Sequence, residues 1–381
     1  MSPRLSIICI WFCFIILLVL GIMMVASTGL CAHVGENGDS PSMFLIKQGC
    51  FCVLGLFAAL AISAVNYQKI RPWTPWLWWT CVILLACCYL PIIGKNINGE
   101  QRWIGFGPFS FQPSEMAKIC LMVTLADWYT THREMPGTFW KGFIWPGAFL
   151  FGIPLALILF EKDMGTAAAL AVSGGCLMYV AGVRHWLLFT ALLIGALLMF
   201  DMATGNENRM ERIMAWFDPQ AFSQGAGRQQ WIAILAFARG GLTGVGLGDG
   251  IEKFGNLPFA HTDFIFAEIG EEWGLVGTLG VLMLFTFLTL SGIVLALQTQ
   301  DTFGRLLATG LVCTIFWPAA LNMAVVTSLL PNSGLPLPFI SYGGTNLVFT
   351  IASIGLLTSI QRHTPTVKQN YWPKRRMQNS P

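Results

Sequence analysis

The sequence predicts an all-α polytopic membrane protein with about ten transmembrane helices and one large extracytoplasmic loop. Three observations predict it. Of 381 residues, 55% are hydrophobic and only 11% charged, against roughly 25% charged in soluble chains, and mean hydropathy is +0.64. The charges punctuate apolar blocks that approach the roughly 20 residues a helix needs to cross a bilayer. Lysine and arginine also fall unevenly on alternate connections, as retention on the cytoplasmic side requires.

The blocks lie near 5–28, 43–64, 73–93, 111–129, 142–160, 164–182, 187–203, 264–297, 306–330 and 344–361. The first runs on after Arg4 beyond the ~7–15 residues of a signal-peptide core, and so reads as an uncleaved anchor. The third opens on Trp73, Trp76, Trp78 and Trp79, residues of a membrane interface. The fourth starts at Pro113-Ser114-Glu115, a helix-initiating sequence, and carries Lys118. Glu161-Lys162-Asp163 makes a tight charged turn between the fifth and sixth. The connection 204–262 is the only one long enough for a substructure outside the membrane. Asp263 stands at the lip of the eighth block, and three prolines and three glycines crowd the stretch before the tenth.

With the N-terminus inside, twelve lysines and arginines fall on the cytoplasmic side and three (Lys95, Arg102, Lys162) in short outer loops. Both termini are therefore expected to be cytoplasmic, with 204–262 outside and 362–381 a basic cytoplasmic tail of a single membrane domain spanning 1–381. A net charge of +3 gives no ground for nucleic-acid binding. Of eleven cysteines, all but Cys31 lie in or beside apolar segments, which argues against a disulfide framework or a zinc site. The five histidines are not spaced as metal ligands.

Five polar features could carry chemistry. Glu115 and Lys118 share a helix face and can pair, either as a structural anchor or as the lining of a polar cavity. Asp163 can cap the helix it precedes or take part in a site. Gly240 to Gly248 resembles a phosphate-cradling loop only superficially, because no strand precedes it and no Gly-Lys-Ser/Thr follows. Asp263 is costly at a membrane lip unless paired, hydrated or used. The stretch 329–345 is either a re-entrant element in a protein interior or a rigid outer loop.

At these residues the sequence resembles the SEDS family, which comprises FtsW, RodA and SpoVE. The shared pieces are Asn98-Gly99 with Arg102-Trp103-Ile104, Gln112-Pro113-Ser114-Glu115 with Lys118, Asp163-x-Gly165-Thr166-Ala167, Gly240-Gly241-Leu242, His261-Thr262-Asp263-Phe264-Ile265-Phe266-Ala267 and Leu337-Pro338-Phe339-Ile340-Ser341-Tyr342-Gly343-Gly344. They keep family order over about 98–361, and Gly244 to Gly248 with Ala260-His261-Thr262 look more like the division-type FtsW branch than RodA. Departures are Phe259, Ile232-Ala233, Lys162 and Arg239, where the family usually has Glu, Gln-Ser, Pro and a small residue.

The resemblance implies a peptidoglycan glycosyltransferase that polymerises lipid II at the outer face of the bacterial cytoplasmic membrane, at the division septum. It implies a class B penicillin-binding transpeptidase and other divisome proteins as partners, with lipid II and polyprenyl-diphosphate glycan as substrates. Asp263 is the implied catalytic residue; Arg102, Trp103, Glu115, Lys118, Asp163, His261 and Ser341 are the implied substrate-binding or cavity residues. A divalent cation, magnesium or manganese, would suit the diphosphate, though no ligand set for it can be read. The rival readings are a lipid II translocase and a noncatalytic divisome scaffold.

Overall fold

The computed structural model describes residues 3–29, 41–90, 93–97, 100–106, 109–204, 207–253 and 262–364. Helices α1 (Pro3–Gly29) and α2 (Pro41–Ala64) are followed by a 3-10 turn (Tyr67–Trp73) and α3 (Thr74–Cys87). Strands β1 (Gly94–Ile97), β2 (Glu100–Phe106) and β3 (Phe109–Phe111) precede α4 (Pro113–Thr131). A π-helical segment (Phe139–Phe151) runs into α5 (Gly152–Phe160), and α6 (Met164–Ala181) and α7 (His185–Thr204) follow. The long connection folds into α8 (Glu207–Phe217) and α9 (Arg228–Gly240), before α10 (Ile265–Gln298), α11 (Thr302–Val326) and α12 (Gly344–His363).

Among the described residues, seven helices are long and apolar enough to cross a bilayer: α1, α2, the π-helical segment with α5, α6, α10, α11 and α12. The chain is thus a polytopic, mainly helical membrane protein, and α3, α4 and α7 occupy the other expected span positions. The all-α expectation needs one amendment. Residues 94–111 form an antiparallel sheet in the order β1-β2-β3, with Lys95 opposite Trp103 and Ile104 opposite Phe111.

The bundle is held by long helix pairings. α2 lies along α12, α1 along α10, and α6 along α11, while α11 also packs on α4 and α10. Stacked against this core is the stretch before α12, where Leu335, Leu337, Phe339, Ile340 and Ser341 are all buried. Phe339 sits with its ring 5.2 Å from Phe14 and 6.5 Å from Phe285. Residues 335–341 therefore enter the protein interior, while Leu329 and Leu330 at the start of the stretch stay exposed. Irregular backbone at this depth is tolerated because its polar groups are satisfied inside the protein: Ser341 N bonds Leu337 O at 3.0 Å and Ser341 Oγ bonds Thr262 O.

One break in α10 explains the glycine run. Gly274 adopts φ +65° and ψ −159°, outside the helical region. The break frees backbone groups, which a buried helix has to satisfy elsewhere. Val245 N and Gly246 N bond to the carbonyls of Glu271 and Glu272, both at 3.0 Å; Leu275 N bonds to Gly241 O at 2.9 Å and Val276 N to Leu242 O at 3.2 Å. The segment 241–246 is thus a strap across the kink rather than a cradle for phosphate. Side chains lock it: Lys253 Nζ bonds Glu272 at 2.5 Å and Ser27 at 2.8 Å, and Arg239 pairs with Glu252 at 2.7 Å and Glu271 at 3.2 Å.

Candidate active site

The short sheet and the turn before α6 bring the first site group together. Arg102 on β2 donates to the Lys162 carbonyl at 2.7 Å, and its guanidinium lies 3.6 Å from the Asp163 carboxylate. Asp163 is 1% exposed; it caps α6 through Thr166 N at 3.1 Å and accepts from Gln112 Nε2 at 3.2 Å. Asp163 therefore caps α6 and at the same time meets Arg102 and Gln112. Lys162 reaches φ +65° in this turn, which Arg102 closes. Trp103, next along β2, points to the opposite face of the strand from Arg102 by the alternation of strand side chains.

Glu161 in the same turn is buried, 1% exposed. Burial pushes its carboxyl up to about 8, the charge of Asp163 adds to the rise, and the Arg102 charge opposes it. A neutral acid beside Asp163 leaves one negative charge for Arg102 to face.

Glu115 and Lys118 form an ion pair at 2.7 Å in the first two turns of α4, at 2% and 9% side-chain exposure. α4 packs on α6, α11 and α12, so the pair faces the bundle and not lipid.

Asp263 sits two residues before α10, where the helix dipole favours a carboxylate. It is partly exposed. Asn322 on α11 donates through Nδ2 both to the Asp263 carbonyl at 2.7 Å and to the Leu335 carbonyl at 2.6 Å. A Cβ on Gly334 would lie 3.5 Å from the Asp263 carboxylate. Ser341 Oγ donates to Thr262 O at 2.6 Å and accepts from Leu337 N at 2.7 Å. The re-entrant stretch thus fixes Asp263 from two sides.

The same stretch links the two aspartates. A Cβ on Gly165, two residues after Asp163, would lie 2.7 Å from Leu335 Cγ and 2.8 Å from Ser333 O, so only glycine lets α6 approach so closely. Thr345 at the start of α12 accepts from Gln112 N and donates to Ser110 O, both at 3.4 Å, joining the sheet to this region. Residues 333–345 therefore connect the surroundings of Asp163, of Asp263 and of the α4 start.

His261 lies outside the described residues. Among the described residues no group of three or more His, Cys, Asp or Glu side chains could hold a metal ion. Sequence reasoning passed over Asn322, and it named Glu161 and Gln112 within motifs without giving either a role in the site. A lone amide inside an apolar span is a signal for Asn322; the other two owe their place to tertiary contacts.

A mainly helical membrane bundle with buried carboxylates gathered around a re-entrant segment defines the class. The FTSW_RODA_SPOVE family, described as a cell cycle protein, matches residues 7–366, and the chain belongs to it. It is 38% identical over 348 residues to the probable peptidoglycan glycosyltransferase FtsW of Saccharophagus degradans, covering 90% of this chain and 89% of the relative. It is 36% identical over 340 residues to the protein of the same name from Geobacter metallireducens, covering 89% and 90%. Among solved structures, a chain from a peptidoglycan synthase complex that coordinates polymerization and crosslinking superposes with a TM-score of 0.75 at 26% identity, covering 93% of this chain and 96% of that one. The rod shape determining protein RodA of Thermus thermophilus superposes at 0.67 with 25% identity, covering 93% and 95%.

Proposed function

We propose that the protein is a peptidoglycan glycosyltransferase that polymerises lipid II into glycan strands at the outer face of the bacterial cytoplasmic membrane, during cell division. The observation that carries this reading is the seat of Asp263: a partly exposed carboxylate at a helix N-terminus, held by Asn322 and the re-entrant stretch. The relatives' names support the reaction class.

In the proposed reaction the C4 hydroxyl of an incoming lipid II attacks the anomeric carbon of the glycan carried on polyprenyl diphosphate. The new C–O bond forms as the bond to the diphosphate breaks, with inversion. Asp263 takes the hydroxyl proton, and polyprenyl diphosphate leaves with the electron pair. Positive charge stabilises that leaving group, and Arg102 is the first choice, because Asp163 and the Lys162 carbonyl hold it in place at the edge of the site. Glu115 and Lys118 shape the cavity wall, and Ser341 positions the segment that carries Asp263. Trp103 and His261 complete the proposed set of substrate-contacting residues.

A class B penicillin-binding transpeptidase is the proposed partner, as crosslinking needs a second enzyme; the superposing synthase complex supports a joint assembly. Both termini are assigned to the cytoplasm, with 204–262 outside. Purified protein in liposomes with labelled lipid II, with and without a transpeptidase, tests the function. Polymer made from outward-facing lipid II is expected. Substrate crossing the bilayer without polymer would make the protein a translocase instead, and neither event in the partnered complex would leave a scaffold.

A further inference from the structure

Between the end of α4 and the π-helical segment lies a cavity of about 520 Å³ that the proposed reaction does not use. Its walls are aromatic. Trp128 stacks on His132 with ring centroids 3.9 Å apart, and Trp145 lies 6.4 Å from Trp128 and 4.8 Å from Phe149. The π-helical backbone sets one wall: its wider i→i+5 turn puts Trp140 and Trp145 one turn apart, with Lys141 and Phe149 beside them.

The polar part of the lining is basic. Lys141 and His132 line the cavity, and none of the described lining residues is acidic. Of the acidic residues nearest in sequence, Asp127 is engaged by Arg71 at 2.7 Å, and Glu134 is exposed in the turn after α4 and is not part of the lining. His132 is held against the indole by its Nδ1, 3.1 Å from the Trp128 carbonyl. Trp140 and Trp145 are exposed, as residues at a membrane boundary are. A cation set into an aromatic groove at that boundary matches an amphiphile with an anionic head.

We propose that this cavity binds an anionic phospholipid, its phosphodiester at Lys141 and His132 and its acyl chain along Trp140, Trp145 and Phe149. Lys141 matches the single charge of a phosphodiester, with His132 beside it as a hydrogen-bonding partner. The proposal rests on the helices spanning a bilayer and is independent of the glycosyltransferase reading.

Native mass spectrometry of the full chain, titrated with phosphatidylglycerol and with phosphatidylcholine, tests it. The first phosphatidylglycerol is expected to bind roughly fivefold tighter, the scale of one basic residue at a lipid headgroup. K141E abolishes that preference with the unfolding midpoint unchanged, K141R keeps it, and W145A weakens both lipids. R228E, the same charge change at an exposed outer-loop position, keeps the preference. Equal binding of the two lipids by the unchanged protein, or an intact preference in K141E, would overturn the assignment. So would an equal loss in R228E, competition by glycerol 3-phosphate as strong as by the diacyl lipid, or displacement by a polyprenyl diphosphate at equal concentration.

Discussion

Glu115 and Lys118 test whether the polar interior of the bundle is organised as described. Their charged atoms are 2.7 Å apart, and neither side chain is more than 9% exposed. Replacing Lys118 with Met leaves a buried carboxylate without its cation, which costs about 3–5 kcal/mol. Glu115→Gln leaves the ammonium facing an amide and falls in the same range. The double change removes both charges, and both desolvation costs, so it should cost no more than either single change. The coupling energy of the cycle is then roughly 3 kcal/mol or more, well above the ~0.5 kcal/mol scatter of independent sites. Denaturant titration of the four proteins in mixed micelles measures it, with polymerisation assayed in parallel. Additive effects, or three variants all as stable and active as the parent, would refute the pairing.

Three further outcomes follow from the geometry. Because the folded Glu161 carboxyl titrates near 8 and its unfolded value is 4.5, the folded state keeps a proton that the unfolded state loses in between; stability is full below 4.5 and falls by about 5 kcal/mol as pH rises to 8. Glu161→Gln should flatten that slope in thermal unfolding against pH, and an unchanged slope would contradict it. Ser341→Ala leaves Leu337 N and Thr262 O without their hydroxyl partner, an expected loss of about 1–3 kcal/mol together with slower polymerisation; an unaltered unfolding midpoint would remove Ser341 from its positioning role. A cysteine engineered near Gly225 should react with an impermeant reagent added outside intact cells, and one near Asn379 should not; the reverse pattern would invert the topology.

The helical spans were legible because each is a long apolar block, and the ends of α1, α2, α6 and α12 fall within a few residues of their expected positions. The sheet was missed although Asn98-Gly99 is a strong short-range hairpin signal, since span length dominated the reading there. The kink at Gly274 had no local signature, because glycine is common in membrane helices; only the strap from 241–246 reveals why the break is tolerated. Arg239, a departure from the family pattern, finds its reason in Glu252 and Glu271, far from it in sequence. The site was half legible. Glu115 with Lys118 could be paired from helical spacing, whereas Arg102 with Asp163, and Asn322 with Asp263, meet only when distant segments fold together.

The central claim is that Asp263 is the base that accepts the proton of the lipid II hydroxyl. Asparagine keeps the size and one acceptor oxygen but cannot take a proton. The decisive measurement is the polymerisation rate of purified Asp263→Asn protein with labelled lipid II, in liposomes free of other glycosyltransferases and with unfolding midpoint and partner binding checked. The account predicts a correctly folded protein that has lost roughly 10²–10⁴-fold in rate; polymerisation at the parent rate would contradict it.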